Sequence, residues 1–227
     1  MRTRVFLLPA LALVAGLYFW QSTASDQTVP AATWRTGGGA EIKQGHNYDD
    51  LAPDSPIRLS LKCGAPSYLY VFSHSQEDGT LLLFPSPEIE TDCGNPLPPG
   101  RTVLPGRREG QEIAWTSRSG IVGLTTFIAI ASADPIPELE ELAPRLRLWS
   151  NRVFPDHSMV VTKPREGEEV AGGPRQPMPA ELLRAAVEST RTQDNPNGPM
   201  QKAPGRPGIY VSTWRIRERR RTDATPK

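Results

Sequence analysis

The fold is decided by the stretch Ile57-Arg58-Leu59-Ser60-Leu61-Lys62-Cys63. Apolar side chains alternate here with charged or hydroxyl side chains, and a period of two places the two sets on opposite faces of a β-strand. We therefore predict a strand that buries one face against a core and presents polar groups on the other.

Further strands follow along the chain. An aromatic and β-branched run at 68–73 and an apolar run at 80–84 flank a polar segment with turn chemistry at 75–79, which predicts a hairpin. Other strands are predicted at 101–104, 112–116, 122–131 and 209–216, and short helices at 138–142 and 180–190. Because residues 122–131 are apolar on both faces, we expect that strand to be central. The fold class is mainly β, an antiparallel β-sandwich-like domain with one or two short peripheral helices.

Composition divides the chain into segments. The 24 prolines and 19 glycines among 227 residues indicate many turns and long polar stretches between the strands. The predicted segments are a signal peptide or uncleaved anchor at 1–24, a flexible N-terminal arm at 25–56, a β-rich domain at 57–162, a Pro/Gly-rich segment with one short helix at 163–208, a terminal strand at 209–217 and a basic disordered tail at 218–227.

The N-terminus has the pattern of an export signal. Arg2 and Arg4 precede an apolar run at 5–20, and small residues up to Ala24 provide a cleavage site. We predict a periplasmic or secreted protein. The apolar run is shorter than the roughly 20 residues that a membrane-spanning helix prefers. An uncleaved inner-membrane anchor at 5–20 is the alternative, and it is the only membrane contact predicted.

Cys63 and Cys93 are the two cysteines of the chain. An even number of cysteines behind an export signal favours a disulfide, because the destination is oxidising. The alternative is that one of them is a catalytic thiolate, which requires a nearby histidine and a lowered pKa.

A series of short motifs runs through the β-rich domain. It comprises Tyr68-Leu69-Tyr70-Val71-Phe72, Asp78-Gly79, Leu83-Phe84-Pro85, Leu97-Pro98-Pro99-Gly100, Leu104-Pro105 and Ile128-Ala129-Ile130-Ala131-Ser132. In this order, residues 57–132 resemble the bacterial domain of unknown function 4384 family. The resemblance covers about a third of the chain. It implies a β-rich accessory module that lies behind export signals or is attached to signalling domains, and it carries over no catalytic residue.

The histidines give no recognisable site. His46 lies near Asp49 and Asp50, and His74 precedes Asp78 by four residues. Neither spacing is that of a dedicated metal site, and solvated surface residues explain both groups, so we predict no metal and no cofactor. The common phosphate-binding, zinc-protease, serine-hydrolase and dinucleotide motifs are missing from the sequence, and no catalytic residue is predicted.

Two groups of residues form a candidate interaction surface. The aromatic side chains share one face of the strand at 68–73, and they are either an exposed platform for a partner or part of the core. The arginines cluster near the C-terminus, where they either contact an acidic partner or anionic lipid, or belong to a solvated tail. The candidates are Tyr68, Tyr70, Phe72, Arg217, Arg219, Arg220 and Arg221.

The formal net charge of +1 provides no overall field toward nucleic acid, so no nucleic-acid partner is predicted. We expect a non-catalytic exported domain that binds or scaffolds a protein partner in the bacterial cell envelope, through edge strands and the Pro-rich loop at 86–100. One alternative is an exported hydrolase, which needs a cleft that brings His46 or His74 against a carboxylate. The other is a membrane-anchored sensor module.

Overall fold

Two β-sheets pack face to face, and two short helices cover the outer side of one of them. The structure is a computed structural model that describes residues 29–218 except 38–40, 53, 76–78, 87–88, 117–122, 149, 154–158 and 163–179. The predicted signal segment at 1–24 and the tail beyond 218 lie outside the described residues. Among the residues described, no helix is both long enough and apolar enough to cross a lipid bilayer.

The helices are α1 (Pro137–Leu142) and α2 (Glu181–Ser189), with a 3-10 turn at Ala143–Arg145. In chain order, the strands are β1 (Ala31–Thr36), β2 (Lys43–Gln44), β3 (Asp49–Leu51), β4 (Pro56–Cys63), β5 (Tyr68–Ser75), β6 (Gly79–Phe84), β7 (Gly100–Leu104), β8 (Arg107–Arg108), β9 (Gln111–Glu112), β10 (Ala114–Thr116), β11 (Gly123–Ser132), β12 (Arg147–Leu148), β13 (Ser150–Val153), β14 (Met159–Thr162), β15 (Gly198–Pro199), β16 (Gln201–Lys202) and β17 (Ile209–Glu218).

The first sheet is built around β4. Its strand order is β13-β14-β10-β4-β1-β15, with β2 paired to β1. β1 pairs with one side of β4, while β10 and β7 share the other side. The alternation predicted for β4 is confirmed, because its apolar side chains are buried in the core between the sheets. Arg58, Ser60 and Lys62 consequently lie on the opposite, outer face of the sheet.

The second sheet has the order β12-β6-β5-β11-β17-β16, with β3 paired to β17. β11 lies between β5 and β17 and pairs antiparallel with both, so the prediction of a central strand at 122–131 is confirmed. β17, the predicted terminal strand, pairs with β11 over ten residues, from Ile209 to Glu218.

The core between the sheets is centred on three aromatic side chains. Trp34 of β1 lies 5.7 Å from Phe127 of β11 and 5.8 Å from Trp214 of β17, measured between ring centroids. All three are fully buried. Offset and tilted aromatic pairs at this distance add about 0.5–1.5 kcal/mol beyond the apolar area that they bury.

A second apolar cluster lies on the other face of the second sheet, under α1 and α2. Arg215 of β17 fastens α2 to the sheet, because its guanidinium donates hydrogen bonds to the Thr190 carbonyl at 3.1 Å and the Val187 carbonyl at 3.0 Å. Carbonyls at the C-terminal end of a helix have no partner within the helix, and a cation there also complements the helix dipole.

The mainly β, sandwich-like fold with two short helices confirms the predicted fold class. The prediction of a flexible arm over 25–56 is wrong for residues 31–36, which form β1. Trp34 is fully buried, stands opposite Leu59, and its N–H donates to Asn197 Oδ1 at 2.7 Å. The strand is stabilised by neighbours that are distant in sequence, and local composition does not show them.

Candidate functional site

The aromatic candidates belong to the core. Tyr70 and Phe72 are fully buried and pack in the cluster under α1 and α2, and Tyr68 is half-buried against it. The Tyr70 hydroxyl donates to Glu140 Oε1 at 2.5 Å and accepts the Ile136 N–H at 3.2 Å. Burial, followed by the bond to Glu140, raises the pKa of Tyr70 to about 12. The interpretation of these residues as a surface platform is therefore wrong, and the core alternative is confirmed.

Of the arginine candidates, Arg217 is exposed on β17. Its guanidinium carbon lies 5.5 Å from the centre of the Tyr48 ring, within the range of a cation–π contact. Arg219, Arg220 and Arg221 lie outside the described residues.

The predicted disulfide is wrong, because Cys63 and Cys93 are both free thiols. Cys63 is paired with Gly100 at one end of β7. Cys93 Sγ instead lies 4.0 Å from the carbonyl oxygen of Val103. Val103 lies three residues along β7 from Gly100, the residue that pairs with Cys63. The number of cysteines and the oxidising destination suggested a bond that the structure does not contain.

Neither thiol is activated as a nucleophile. Burial raises the pKa of Cys63, although a hydrogen bond with Ser67 lowers it in part. Burial, followed by the neighbouring Asp92 carboxylate, raises the pKa of Cys93 to about 11. Both groups are thiols at neutral pH, whereas a catalytic cysteine requires a lowered pKa.

The histidines stand apart from each other. The His46 side chain is 68% exposed, and its ring Nδ1 lies 4.0 Å from Asp49 Oδ2. The backbone N–H of His46 donates to the same carboxylate oxygen at 2.6 Å. His74 Nδ1 lies 3.0 Å from the Thr80 hydroxyl, and burial lowers the pKa of His74. Asp78, the predicted neighbour of His74, lies outside the described residues. In the described part of the chain, no group of three or more His, Cys, Asp or Glu side chains could hold a metal ion.

A slot of about 330 Å³ lies between the loop at 92–98 and the strand β7. We call it the edge slot. One wall comes from the loop, and the other comes from β7 and the hairpin of β8 and β9. Its lining residues are Asp92, Cys93, Gly94, Leu97, Pro98, Arg101, Thr102, Val103, Gly106, Arg107 and Glu112.

The loop that forms the outer wall of the slot is fastened at both ends. Asp92 donates its N–H to the Arg107 carbonyl at 3.0 Å, and Asp92 Oδ1 accepts the Arg107 N–H at 2.6 Å. At the other end, Leu97 and Ser67 exchange two backbone hydrogen bonds of 2.8 and 3.1 Å. These two pairs of hydrogen bonds fix both ends of the loop that forms the outer wall of the slot.

Gly106 permits the close approach at the first of these points. Its φ is +111°, and a Cβ there would lie 2.8 Å from both Asp92 Oδ1 and Cys93 Sγ. Any larger residue would displace these two side chains and strain the backbone. Gly94, on the opposite wall, has no atom within 4 Å of the position of a Cβ, so its side faces open space.

The slot runs along an unpaired strand edge. In the described part of the chain, β7 pairs with β4 alone. Every second residue of such an edge turns its N–H and C=O groups to the open side, where another extended chain can bind those that have no partner. On this edge, the Val103 carbonyl already contacts Cys93 Sγ. Val103, which is half-buried, adds apolar surface, and Arg101 at the rim is exposed. These features suit an extended polypeptide better than a reaction centre.

Sequence analysis located part of this site. The loop at 86–100 was predicted as a contact region, but the slot was missed because its second wall comes from residues 101–112. The signal that could have indicated it is the Pro105-Gly106 pair, which marks a sharp turn directly after a predicted strand. No family model, curated protein or solved structure matches this chain.

Proposed function

We propose that this chain is an exported domain of the bacterial envelope that binds an extended segment of another protein in the edge slot. The observation that carries the proposal is that, among the described strands, β7 has a partner on one side only, with the slot along its other side. A partner segment that adds to a sheet edge gains main-chain hydrogen bonds, and side-chain contacts then provide specificity.

The fixed walls of the slot support this proposal. The bonds from Asp92 to Arg107 and from Leu97 to Ser67 hold its walls in place before a partner arrives. A preformed site loses less conformational entropy when it binds.

The N-terminal sequence supports the proposed location. Arg2 and Arg4 before the apolar run at 5–20 are typical of export signals. Two motifs of the resemblance to the domain of unknown function 4384 family, at 97–100 and 104–105, adjoin the slot. We therefore propose that accessory modules of this family share the slot.

The hydrolase alternative needs a histidine against a carboxylate in a cleft. His46 meets Asp49 on an exposed turn, and the described contact of the His74 ring is with Thr80. The slot holds Cys93 with a raised pKa. These positions favour binding over hydrolysis as the function of the slot.

Two glycines allow a matched test. Gly94 lines the slot, whereas Gly123 begins β11 in the second sheet, and both are exposed with open space around the Cβ position. Gly94→Trp should fill the slot, and Gly123→Trp should add the same bulk elsewhere. Thermal melts by circular dichroism check that both variants fold.

The assay is affinity capture of the tagged full-length chain from detergent-solubilised envelopes of an expressing bacterium. We expect the wild type and Gly123→Trp to retain the same partner and Gly94→Trp to lose it. Equal retention by all three proteins contradicts the proposal.

A further inference from the structure

The outer face of the first sheet is strongly basic. β1, β4 and β7 contain no aspartate or glutamate. Their core-facing residues, such as Trp34, Leu59 and Leu104, lie in the cluster between the sheets, so the alternate residues point outward. Four of the outward side chains are cations, and we call this group the basic face: Arg35, Arg58, Lys62 and Arg101.

The register places these cations in like-charged pairs. Arg35 stands directly opposite Arg58, and Lys62 stands directly opposite Arg101. Residues opposite each other in an antiparallel pair have Cβ atoms about 4.5–5.5 Å apart, and like charges there destabilise the sheet. Two such pairs in three adjacent strands are an arrangement that an anionic ligand would stabilise.

Within the described residues, no salt bridge neutralises the basic face, and the Glu112 carboxylate acts on Arg58 from beyond salt-bridge distance. No carboxylate there forms an ion pair with any of its four members. The Nη1–H of Arg58 donates to the Gly37 carbonyl at 2.9 Å, while its buried Nε–H has no acceptor among the described residues. Burial lowers the pKa of Arg58, and Glu112 offsets the effect in part. Glu112 itself lies 3.5 Å from Arg107, at the edge of this face.

We infer that the basic face binds acidic side chains of the same partner segment that occupies the edge slot. This inference rests on the proposed function. Arg101 belongs to both surfaces, since it lines the slot and its Nε donates to Ser60 Oγ at 2.8 Å on the outer face. A segment that leaves the slot past Arg101 therefore meets Lys62 next, directly across from it.

The geometry favours carboxylates of a protein over a lipid surface. Arg35 and Arg58 are half-buried, so they do not project from the sheet as the basic side chains of a membrane-binding patch do. A planar guanidinium matches a carboxylate with two parallel hydrogen bonds. The hydroxyl groups of Thr33 and Ser60 stand opposite each other between the charged pairs and add polar contacts.

The test uses a fluorescein-labelled hexaglutamate peptide and the full-length chain, with binding followed by fluorescence anisotropy. Lys62→Glu reverses one charge of the basic face, and Lys202→Glu reverses a strand lysine that is also exposed, in the second sheet. We expect Lys62→Glu to weaken binding at least about fivefold, and Lys202→Glu to change it less than about twofold. Added salt should weaken the wild-type complex.

Equal affinity of the wild type and Lys62→Glu for hexaglutamate overturns the inference. It is also overturned if phosphatidylglycerol vesicles bind the chain through Lys62 while hexaglutamate does not, because the ligand is then a membrane. The two proposals fail separately. If Gly94→Trp loses capture but Lys62→Glu binds hexaglutamate as the wild type does, the slot proposal stands and the inference about the basic face fails. If Gly94→Trp retains capture but Lys62→Glu loses hexaglutamate binding, the slot proposal fails and the basic face remains a site for carboxylates.

Discussion

Replacing Trp34 by alanine tests whether β1 is part of the core. Trp34 is fully buried, and its ring packs 5.7 Å from Phe127 and 5.8 Å from Trp214. Truncating a buried Trp to Ala costs about 3–5 kcal/mol. Trp34 Nε1 also donates to Ser212 Oγ at 3.3 Å. In Trp34→Ala, the Ser212 hydroxyl still donates to the Pro196 carbonyl. Loss of the hydrogen bond from the indole therefore adds little to the loss of stability.

A cost of this size is a large part of the total stability of a domain, which is about 5–15 kcal/mol. In a domain of this length, about 3–5 kcal/mol corresponds to a fall in Tm of about 6–20 °C. The assay is urea unfolding followed by far-ultraviolet circular dichroism, because removal of a tryptophan changes the fluorescence signal itself. Arg35→Ala is the control, since Arg35 is on the opposite face of the same strand.

We expect Arg35→Ala to leave the free energy of unfolding within about 0.5 kcal/mol of the wild type. The substitution also removes the repulsion between Arg35 and Arg58, which offsets any loss of stability. If Trp34→Ala lowers the free energy of unfolding by less than about 1 kcal/mol, then residues 31–36 contribute little to the core. The interpretation of 25–56 as a flexible arm would then be restored.

Three further predictions concern the second sheet and the thiols. Arg215→Met removes both charge-assisted bonds to the end of α2, and urea titration should show a loss of about 3 kcal/mol; an unchanged midpoint would refute this role. Burial lowers the folded-state pKa of His74 below its unfolded value of about 6.5. The unfolded state then binds more protons below that pH, so stability is full above about pH 6.5 and falls as the pH drops further. His74→Gln should remove this part of the pH dependence of the free energy of unfolding. If the variant and the wild type show the same dependence on pH, this role of His74 is contradicted. Alkylation of Cys93 by iodoacetamide should accelerate about tenfold per pH unit up to about pH 11. Intact mass after denaturation without reductant should show both Cys63 and Cys93 alkylated, and protection of the pair would reinstate the disulfide.

The strands of five or more residues, apart from β1, are predictable from the sequence because their signal is local. The period-two alternation in β4 and the apolar runs of β5, β6 and β11 are visible within a few residues, and the structure places these strands within two residues of the predicted bounds. In β1, only Ala32 and Trp34 show the alternation. That strand forms because β4 and Asn197 provide its hydrogen-bond partners, and neither is near it in the chain.

The site was harder to predict because it depends on how distant segments meet. Whether Tyr70 and Phe72 face a partner or the core depends on α1 and α2, which lie at least 65 residues further along the chain. The disulfide was predicted from the cysteine count, whereas the position of Cys93 depends on the hydrogen bond between Asp92 and Arg107, 15 residues apart in the chain. Arg58 and Lys62 were recognised as the polar face of a strand. Their pairing with Arg35 and Arg101 became visible only with the register of the sheet.

The central claim is that a protein partner occupies the edge slot, and site-specific photocrosslinking tests it most directly. A photoreactive phenylalanine analogue at Pro98, on the exposed wall of the slot, is compared with the same analogue at Arg184 on the exposed side of α2. In the living envelope, we predict one discrete protein adduct from position 98 and none from position 184. No adduct from position 98, or the same adducts from both positions, would contradict the account.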